Sequence, residues 1–398
     1  MRFADTPELA TWRTTVRSFL DEHWHSTGSD DESEAATSME NEEQFQARMK
    51  RSQAWLDKLG ENGWIAPAWP KEYGGADMSV LEQFVLSQEL TQAGAPTSRQ
   101  MLNLVGPTIM LHGTDEQKAE HLPPMLRGEV AWCQGFSEPG SGSDLASLQT
   151  RAVRDGDDYV VNGQKIWTSG AHRADWMFML ARTDPDAPKH RGISYLLINM
   201  KDPGVSVRPL INMHDGHVFN EVFFEDVRVP VRNRIGEENR GWYVGTTTLD
   251  FERSNIARVV NIKKSLAKVL DYTQAREVNG EAVGRPQRME LADRAVETAV
   301  CELLSFQVVS IQASGGVPNM EASMNKMYGS ELQQRVARTA MNITGMRGQL
   351  RQPEGLESEH GIQAAMNYLS TVPATIAAGT SEIQRNIIAT RGLGLPRG

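Results

Sequence analysis

An α+β chain in three consecutive parts, helical, then β, then helical, is what the sequence predicts, and two changes of hydrophobic period carry that reading. Apolar residues recur at helical spacing through the first third and again after Gly241. Between them the apolar residues fall in short runs cut by Gly, Pro, Asp and Asn, the pattern of strands and turns. A chain of 398 residues exceeds one ordinary core, so two or three packed domains are expected. The expected boundaries are 1–128, 129–236 and 237–398, and no internal repeat is visible.

The first helix starts at Thr6-Pro7-Glu8, with Pro at the first helical position, and carries Leu9, Trp12, Val16, Phe19 and Leu20 on helical spacing. Residues 26–43 are acidic, rich in Ser and Thr and poor in large apolar side chains, so a mobile loop is expected there. Helical patterning returns over 45–59, 80–93, 102–111 and 114–126, broken by Ala66-Pro67-Ala68-Trp69-Pro70 and Tyr73-Gly74-Gly75. In the middle, Tyr159-Val160-Val161, Asn162-Gly163 and Lys165-Ile166-Trp167 read as a hairpin with an Asn-Gly turn. Residues 176–181, 193–198, 205–207 and 221–229 read as further strands. Long helices follow over 249–274, 289–312 and 320–343, then a short one over 381–389 after Gly379-Thr380.

Composition narrows the classes. With 39% apolar and 23% charged residues the chain is typical of a soluble globular enzyme. No apolar run approaches the roughly 20 residues of a membrane span. The N-terminus has no basic region followed by an apolar one, so no signal peptide is expected and the location expected is cytoplasmic. A net charge of −10 argues against general nucleic-acid binding. Cys133 and Cys301 lie in apolar surroundings outside any metal spacing, so buried free thiols and no metal site are expected.

Four stretches carry chemistry. Gly135-Phe136-Ser137-Glu138-Pro139-Gly140-Ser141-Gly142-Ser143-Asp144 concentrates small residues and hydroxyls, which lets backbone amides approach a polar ligand; a plain surface turn is the alternative. Val161-Asn162-Gly163-Gln164-Lys165-Ile166-Trp167-Thr168-Ser169 is either an ordinary hairpin with a core Trp or a ligand-facing one. Phe219-Asn220-Glu221-Val222-Phe223-Phe224-Glu225-Asp226-Val227-Arg228-Val229-Pro230, with Ile235-Gly236-Glu237-Glu238-Asn239-Arg240-Gly241-Trp242, is an edge strand and loop. Gly379-Thr380-Ser381-Glu382-Ile383-Gln384-Arg385 is a helix start with a Thr cap and an acidic first turn.

Together, and in this order, these stretches resemble the acyl-CoA dehydrogenase family across nearly the whole chain. The resemblance implies an N-terminal helical domain, a β-barrel-like middle domain and a C-terminal four-helix bundle. It implies FAD, held through Gln134, Phe136, Ser137, Trp167, Thr168, Ser169, Thr380 and Glu382, with Arg276 and Gly345 serving the flavin of a neighbouring subunit. It assigns Ser143, Asp250, Arg253, Ala378 and Gly379 to the acyl-CoA substrate. The implied reaction is α,β-desaturation to the trans-2-enoyl-CoA, with electrons passed to an electron-transfer flavoprotein.

Such a desaturation needs a base for the α proton and stabilisation of the developing enolate oxygen. In the best-known members the base is a Glu just before the Gly-Thr of the fourth stretch; here Ala378 stands there. Isovaleryl-CoA and long-chain acyl-CoA dehydrogenases instead take a Glu one residue before an Arg, which matches Glu252-Arg253, and they too carry a small residue before Gly-Thr. The resemblance therefore makes Glu252 the base, leaves the Ala378 backbone N–H for the thioester oxygen, and implies a bulky, branched or ring-bearing acyl group. Two departures fall on the neighbour-facing residues. Where the family keeps an aromatic between an Arg and a Gly, Arg276-Glu277-Val278-Asn279-Gly280 has Asn279 in its place, and the family's Gln-x-x-Gly-Gly-x-Gly reads Asn342-Ile343-Thr344-Gly345-Met346-Arg347-Gly348. This resembles bacterial members that pair as α2β2 heterotetramers in sterol or ring-acid breakdown; a homotetramer is the other expectation. A flavin monooxygenase or acyl-CoA oxidase on the same fold, and a non-catalytic subunit of a heteromeric dehydrogenase, are the rival functions.

Overall fold

The computed structural model describes residues 5–25, 42–97, 101–250 and 255–396. In chain order the helices α1 (Pro7–His23), α2 (Glu42–Glu61), α3 (Val80–Ala93), α4 (Leu102–His112) and α5 (Asp115–Arg127) precede the strands. Then come β1 (Trp132–Gly135), β2 (Arg151–Asp155), β3 (Asp158–Lys165), β4 (Trp176–Arg182), β5 (Ile193–Asn199), β6 (Val205–Ile211), β7 (His217–Pro230) and β8 (Arg234–Ile235). The longer helices that follow are α6 (Gly241–Asp250), α7 (Ile256–Val278), α8 (Arg285–Ala313), α9 (Asn319–Thr344), α10 (Ala364–Thr371) and α11 (Ser381–Ile387), with a single helical turn at Leu356–Glu359 before α10. The chain divides into two compact units, Met49–Asp77 with Pro96–Glu252, and Met1–Arg48 with Met78–Ala95 and Arg253–Gly398.

Local chemistry sets most helix ends. The Thr6 hydroxyl accepts from Leu9 N and Pro7 occupies the first turn of α1. Ser79 with Glu82, and Thr114 with Gln117, form reciprocal capping boxes at the starts of α3 and α5. Both helices stop at a left-handed glycine, Gly94 and Gly128.

The first unit is built on one mixed sheet, ordered β6-β7-β3-β2-β4-β5-β8, with β1 beside β4. Its neighbours pair antiparallel except β1 with β4 and β2 with β4, which run parallel. Cys133, Tyr159, Val161, Met177, Met179, Leu196, Val222 and Phe224 fill one core of this sheet. Helix α6 lies on β4 and β5; a Cβ on Gly241 would stand 2.3 Å from the Ser194 carbonyl carbon, so only glycine allows that approach.

The second unit gathers α3 with α7, α8 and α9. Phe84 of α3 joins Val259, Val260, Leu266, Leu291, Val309, Leu332 and Val336 in one apolar core. Its ring lies 5.5 Å from that of Phe306. Helix α1 is tied to α3 by Trp12 Nε1 on Glu82 O (3.0 Å) and by Arg13 and Arg17 on Glu89.

Two sequence expectations need correction. Asn162-Gly163 is not a hairpin turn: β3 runs straight through it, and the β2–β3 turn falls at Gly156 (φ 62°). Gly163 (φ 147°) instead sits at a bulge where the register against β7 shifts, and a Cβ there would lie 2.7 Å from Thr150 Oγ1 and 2.8 Å from Thr150 Cα. The glycine is required by that close approach. The helix expected over 249–274 is also two helices, because Asn255 is left-handed (φ 52°) at the start of α7. Residues 251–254 lie outside the described set, as do 26–41 of the expected mobile loop.

Candidate functional site

Strand β1 delivers the Gly135–Asp144 stretch. Gln134 pairs in register with Phe178 of β4. Phe136 is buried edge-on to Phe178 (5.9 Å) and Tyr195 (6.3 Å). The Ser137 carbonyl accepts from Ile166 N at 2.9 Å, which joins this stretch to the end of β3.

Glu138 pins the stretch from inside. One carboxylate oxygen accepts from Thr150 N (2.9 Å) and Lys165 Nζ (2.8 Å), and the other from Gln149 N (2.6 Å). Lys165 is 0% exposed and also donates to Phe136 O at 3.2 Å. Burial pushes Lys165 down to about 8, against the pull of Glu138. Burial works to raise Glu138, but the Lys165 charge and the hydrogen bonds outweigh it and hold the carboxyl below its ordinary value. The two groups are thus an ion pair near neutral pH. A cleft of about 420 Å3 opens beside Glu138, bordered by Gly140, Ser141, Gln149, Thr150 and Gln164. Gly140 and Gly142 meet nothing within 4 Å where a Cβ would be, so their smallness leaves open space. Ser143 is exposed next to Asp144, whose carboxylate takes Lys189 Nζ at 2.7 Å.

Beyond β3 the chain turns through Trp167, Thr168 and Ser169. Trp167 is left-handed (φ 59°) and 60% exposed, not a core residue, with its ring 6.0 Å from Phe219. Asn220 holds Thr168 from both sides, Thr168 N donating to Asn220 O and Asn220 Nδ2 donating to Thr168 O, each at 3.0 Å. The Thr168 hydroxyl is buried and has no hydrogen-bond partner among the described residues.

The second unit carries the other predicted residues. Ala378 (φ 53°) and Gly379 (φ 86°) are both left-handed, and Thr380 then caps α11 by accepting Ile383 N at 3.2 Å. Gln384 Nε2 donates to Ala378 O (3.2 Å) and Gly379 O (3.4 Å), and Lys326 Nζ donates to Gly379 O at 2.5 Å. Glu382 is exposed in the first turn, its carboxyl lowered by its own backbone N–H and by Thr380. The Ser381 hydroxyl is buried without a hydrogen-bond partner among the described residues.

Arg276 is engaged within its own chain, with Nη1 on Ile343 O (2.7 Å) and Nε on Glu281 (3.0 Å). Gly345 (φ 59°) ends α9. Asp250 closes α6 with its side chain outside the described set, and Glu252 and Arg253 lie outside it altogether.

The structure thus brings Gln134, Phe136, Ser137 and Trp167 to Ser169 together in one unit, and Ala378, Gly379, Thr380 and Glu382 together in the other. Lys165, Asn220, Lys326, Gln384 and Ser381 were missed from the sequence. A lysine on the buried face of β3, and another among the small residues of Ser323-Met324-Asn325-Lys326, were the available signals.

Three family models match the chain in succession. The acyl-CoA dehydrogenase N-terminal domain matches residues 6–129, the middle domain 133–227 and the C-terminal domain 239–393. The chain belongs to the acyl-CoA dehydrogenase family. This is the flavin-dependent family that the four sequence motifs resemble, and it assigns acyl-CoA dehydrogenation to the chain. Acyl-CoA dehydrogenase FadE26 of Mycobacterium tuberculosis is 39% identical over 86% of this chain and 87% of its own length. Acyl-CoA dehydrogenase IpdE1 of the same organism is 35% identical over 86% and 88%. Among solved structures, the Tcur3481-Tcur3483 steroid acyl-CoA dehydrogenase superposes with a TM-score of 0.85 at 33% identity, covering 100% of both chains. The ChsE4-ChsE5 complex from Mycobacterium tuberculosis gives 0.83 at 36% identity, again covering 100% of both. No described helix is long and apolar enough to cross a membrane, and no described cluster of His, Cys, Asp or Glu forms a metal site.

Proposed function

We propose that this chain desaturates the acyl group of a bulky, branched or ring-bearing CoA thioester to the trans-2-enoyl-CoA, with Glu252 as the base. The observation that carries the reading is Ala378. The commonest base position holds a methyl group on a left-handed residue, while its backbone N–H remains, and Glu252-Arg253 stands where relatives keep the alternative base. Glu252 takes the α proton, the Ala378 N–H holds the thioester oxygen as charge develops on it, and Ser143, Asp250, Arg253 and Gly379 contact the CoA thioester. The β hydrogen leaves with its electron pair as the Cα=Cβ bond forms.

FAD, when bound, supplies the hydride acceptor. Two buried hydroxyls without hydrogen-bond partners among the described residues, Thr168 Oγ1 and Ser381 Oγ, support a polar cofactor, since leaving such a group unsatisfied costs about 1–3 kcal/mol. Both lie in stretches assigned to the flavin by resemblance, with Gln134, Phe136, Ser137, Trp167, Ser169, Thr380 and Glu382. An electron-transfer flavoprotein is the proposed acceptor of the two electrons released, and the cytoplasm the proposed location. The domain limits 1–128, 129–236 and 237–398 are proposed on the same footing.

The assembly we propose is an α2β2 heterotetramer. Arg276, which in the family reaches a neighbour's flavin, is held here by Glu281 and Ile343 O of its own chain. Two similar solved structures, Tcur3481-Tcur3483 and the ChsE4-ChsE5 complex, each pair two different proteins, which supports the same assembly here. Steroid-active relatives support a ring-bearing acyl group.

Anaerobic mixing of the yellow holoenzyme with a panel of CoA thioesters tests the reaction, read as bleaching of the flavin. Glu252→Gln is expected to slow bleaching by the best thioester at least about 1,000-fold while its binding persists. Normal bleaching in that variant removes Glu252 from the role. Rapid oxygen consumption with peroxide would identify an oxidase instead.

A further inference from the structure

The Ala378-Gly379-Thr380 turn has two consecutive left-handed residues, one of them not glycine, so its conformation depends on what grips it. Two side chains do. Gln384 reaches the carbonyls of Ala378 and Gly379 from the next helical turn. Lys326 reaches the Gly379 carbonyl from the first third of α9, Nζ to O 2.5 Å.

Lys326 is an expensive donor for one carbonyl. It is 7% exposed, and no carboxylate among the described residues forms an ion pair with it. Burying an ammonium without a paired charge is strongly disfavoured, whereas Gln384 already offers Gly379 O a neutral donor at little cost. The charged groups that bear on Lys326 are Arg258 of α7, Glu331 of α9 and Glu382 of α11. An ammonium that faces a backbone carbonyl sets the plane of that peptide more firmly than an amide does, because a charge-assisted hydrogen bond is roughly twice as strong as a neutral one.

We infer that Lys326 is a positioning residue for the thioester site: it fixes the Gly379–Thr380 peptide and, with Gln384 on Ala378 O and Gly379 O, holds the two left-handed residues of the turn that carries the Ala378 N–H. This rests on the reading of that N–H as the donor to the thioester oxygen. Lys326 itself touches neither the oxygen nor the flavin in this scheme. Burial, followed by Arg258, lowers Lys326 to about 8, opposed by Glu331 and Glu382. The grip should therefore loosen as pH rises through that value.

The test compares wild type, Lys326→Met and Lys326→Arg as holoenzymes in their native assembly. But-2-enoyl-CoA and its thioether S-(but-2-enyl)-CoA, which lacks the carbonyl oxygen, are titrated by perturbation of the flavin spectrum at pH 6.5 and at pH 9. Wild type is expected to prefer the thioester at pH 6.5 and to lose part of that preference at pH 9. Lys326→Met is expected to lose about tenfold of the preference at pH 6.5, the effect of about 1.4 kcal/mol. Thioether affinity stays within about twofold, and Lys326→Arg recovers part of the preference.

Amide exchange read without ligand should be faster over residues 376–381 in Lys326→Met and unchanged over α8. A wild type that prefers the thioester, matched by an equal preference in Lys326→Met, overturns this inference alone. A wild type with no preference overturns the reading of Ala378 and this inference with it. Neither outcome depends on Glu252, whose failure as base would show only in flavin bleaching.

Discussion

Glu138 and Lys165, 27 positions apart and 2.8 Å from each other, form the most deeply buried ion pair near the candidate site. Removing one member strands a buried charge. Lys165→Met is expected to destabilise the protein by about 3–5 kcal/mol, with Lys165→Met/Glu138→Gln less damaged than the single variant. Urea midpoints of the two variants check this. The acid limb follows from the sign of the shift. Glu138 is lowered from an ordinary 4.5, so its contribution is full above that value and fades as pH falls through the lower folded value.

Lys326 works against stability where Glu138 adds to it, yet its pH dependence runs the same way. Its folded value of about 8 lies below the ordinary 10.5, so the native state binds fewer protons than the unfolded state between those limits and stability rises with pH across them. The stability of wild type relative to Lys326→Met should therefore improve between pH 8 and 10.5, measured by denaturant titration at each pH. A lysine that works against stability at neutral pH is consistent with one kept for positioning.

At the scale of elements, Gly163 decides how β3 meets the loop that carries Thr150. Gly163→Ala places a methyl against Thr150 Oγ1, Cα and Cβ in a φ region L-residues avoid, and about 2–3 kcal/mol of destabilisation is expected, read as a lower melting temperature. The same glycine shows why parts of the fold were legible and parts were not. Ser79/Glu82 and Thr114/Gln117 announce helix starts because a cap is a local contact between residues three apart. Asn162-Gly163 announces a turn equally clearly, yet the glycine answers to Thr150, thirteen positions away in a different strand context. Asn255 tolerates the left-handed region, so nothing in the apolar period over 249–274 marks the break.

The candidate site divides the same way. The stretches that carry Phe136 to Ser137, Trp167 to Ser169 and Thr380 to Glu382 were readable because each is continuous in sequence. Lys165 with Glu138, Asn220 with Thr168, and Lys326 with Gly379 were not. Each of those pairs is 27 or more positions apart and is made only by the sheet or by helix packing. The sequence leaves Trp167 open between a core and a ligand-facing role, and its 60% exposure takes it out of the core.

At the scale of the whole molecule, Met289, Val296, Val300 and Leu303 leave an exposed apolar stripe along α8. Such a stripe suits a subunit contact, in line with a tetramer. The prediction at this scale concerns partnership. Made alone, the chain should purify with little flavin and below tetramer mass. Made with a second acyl-CoA dehydrogenase chain of the same organism, it should give a yellow α2β2 species, read by native mass and visible absorbance. A yellow, active homotetramer from the single chain would decide for the other assembly.

Helix α3 is made early and used late. Phe84 finds its core only among α7, α8 and α9, whose last core residues follow it by more than two hundred positions. During synthesis α1 can dock on α3 through Trp12 and Glu89 long before that core exists. The apolar side of α3, with Val80, Leu81 and Phe84, must therefore wait uncovered while the whole sheet is translated. Loop-closure entropy makes that late return slow, and a sticky surface held open over such an interval is a natural client for a chaperone.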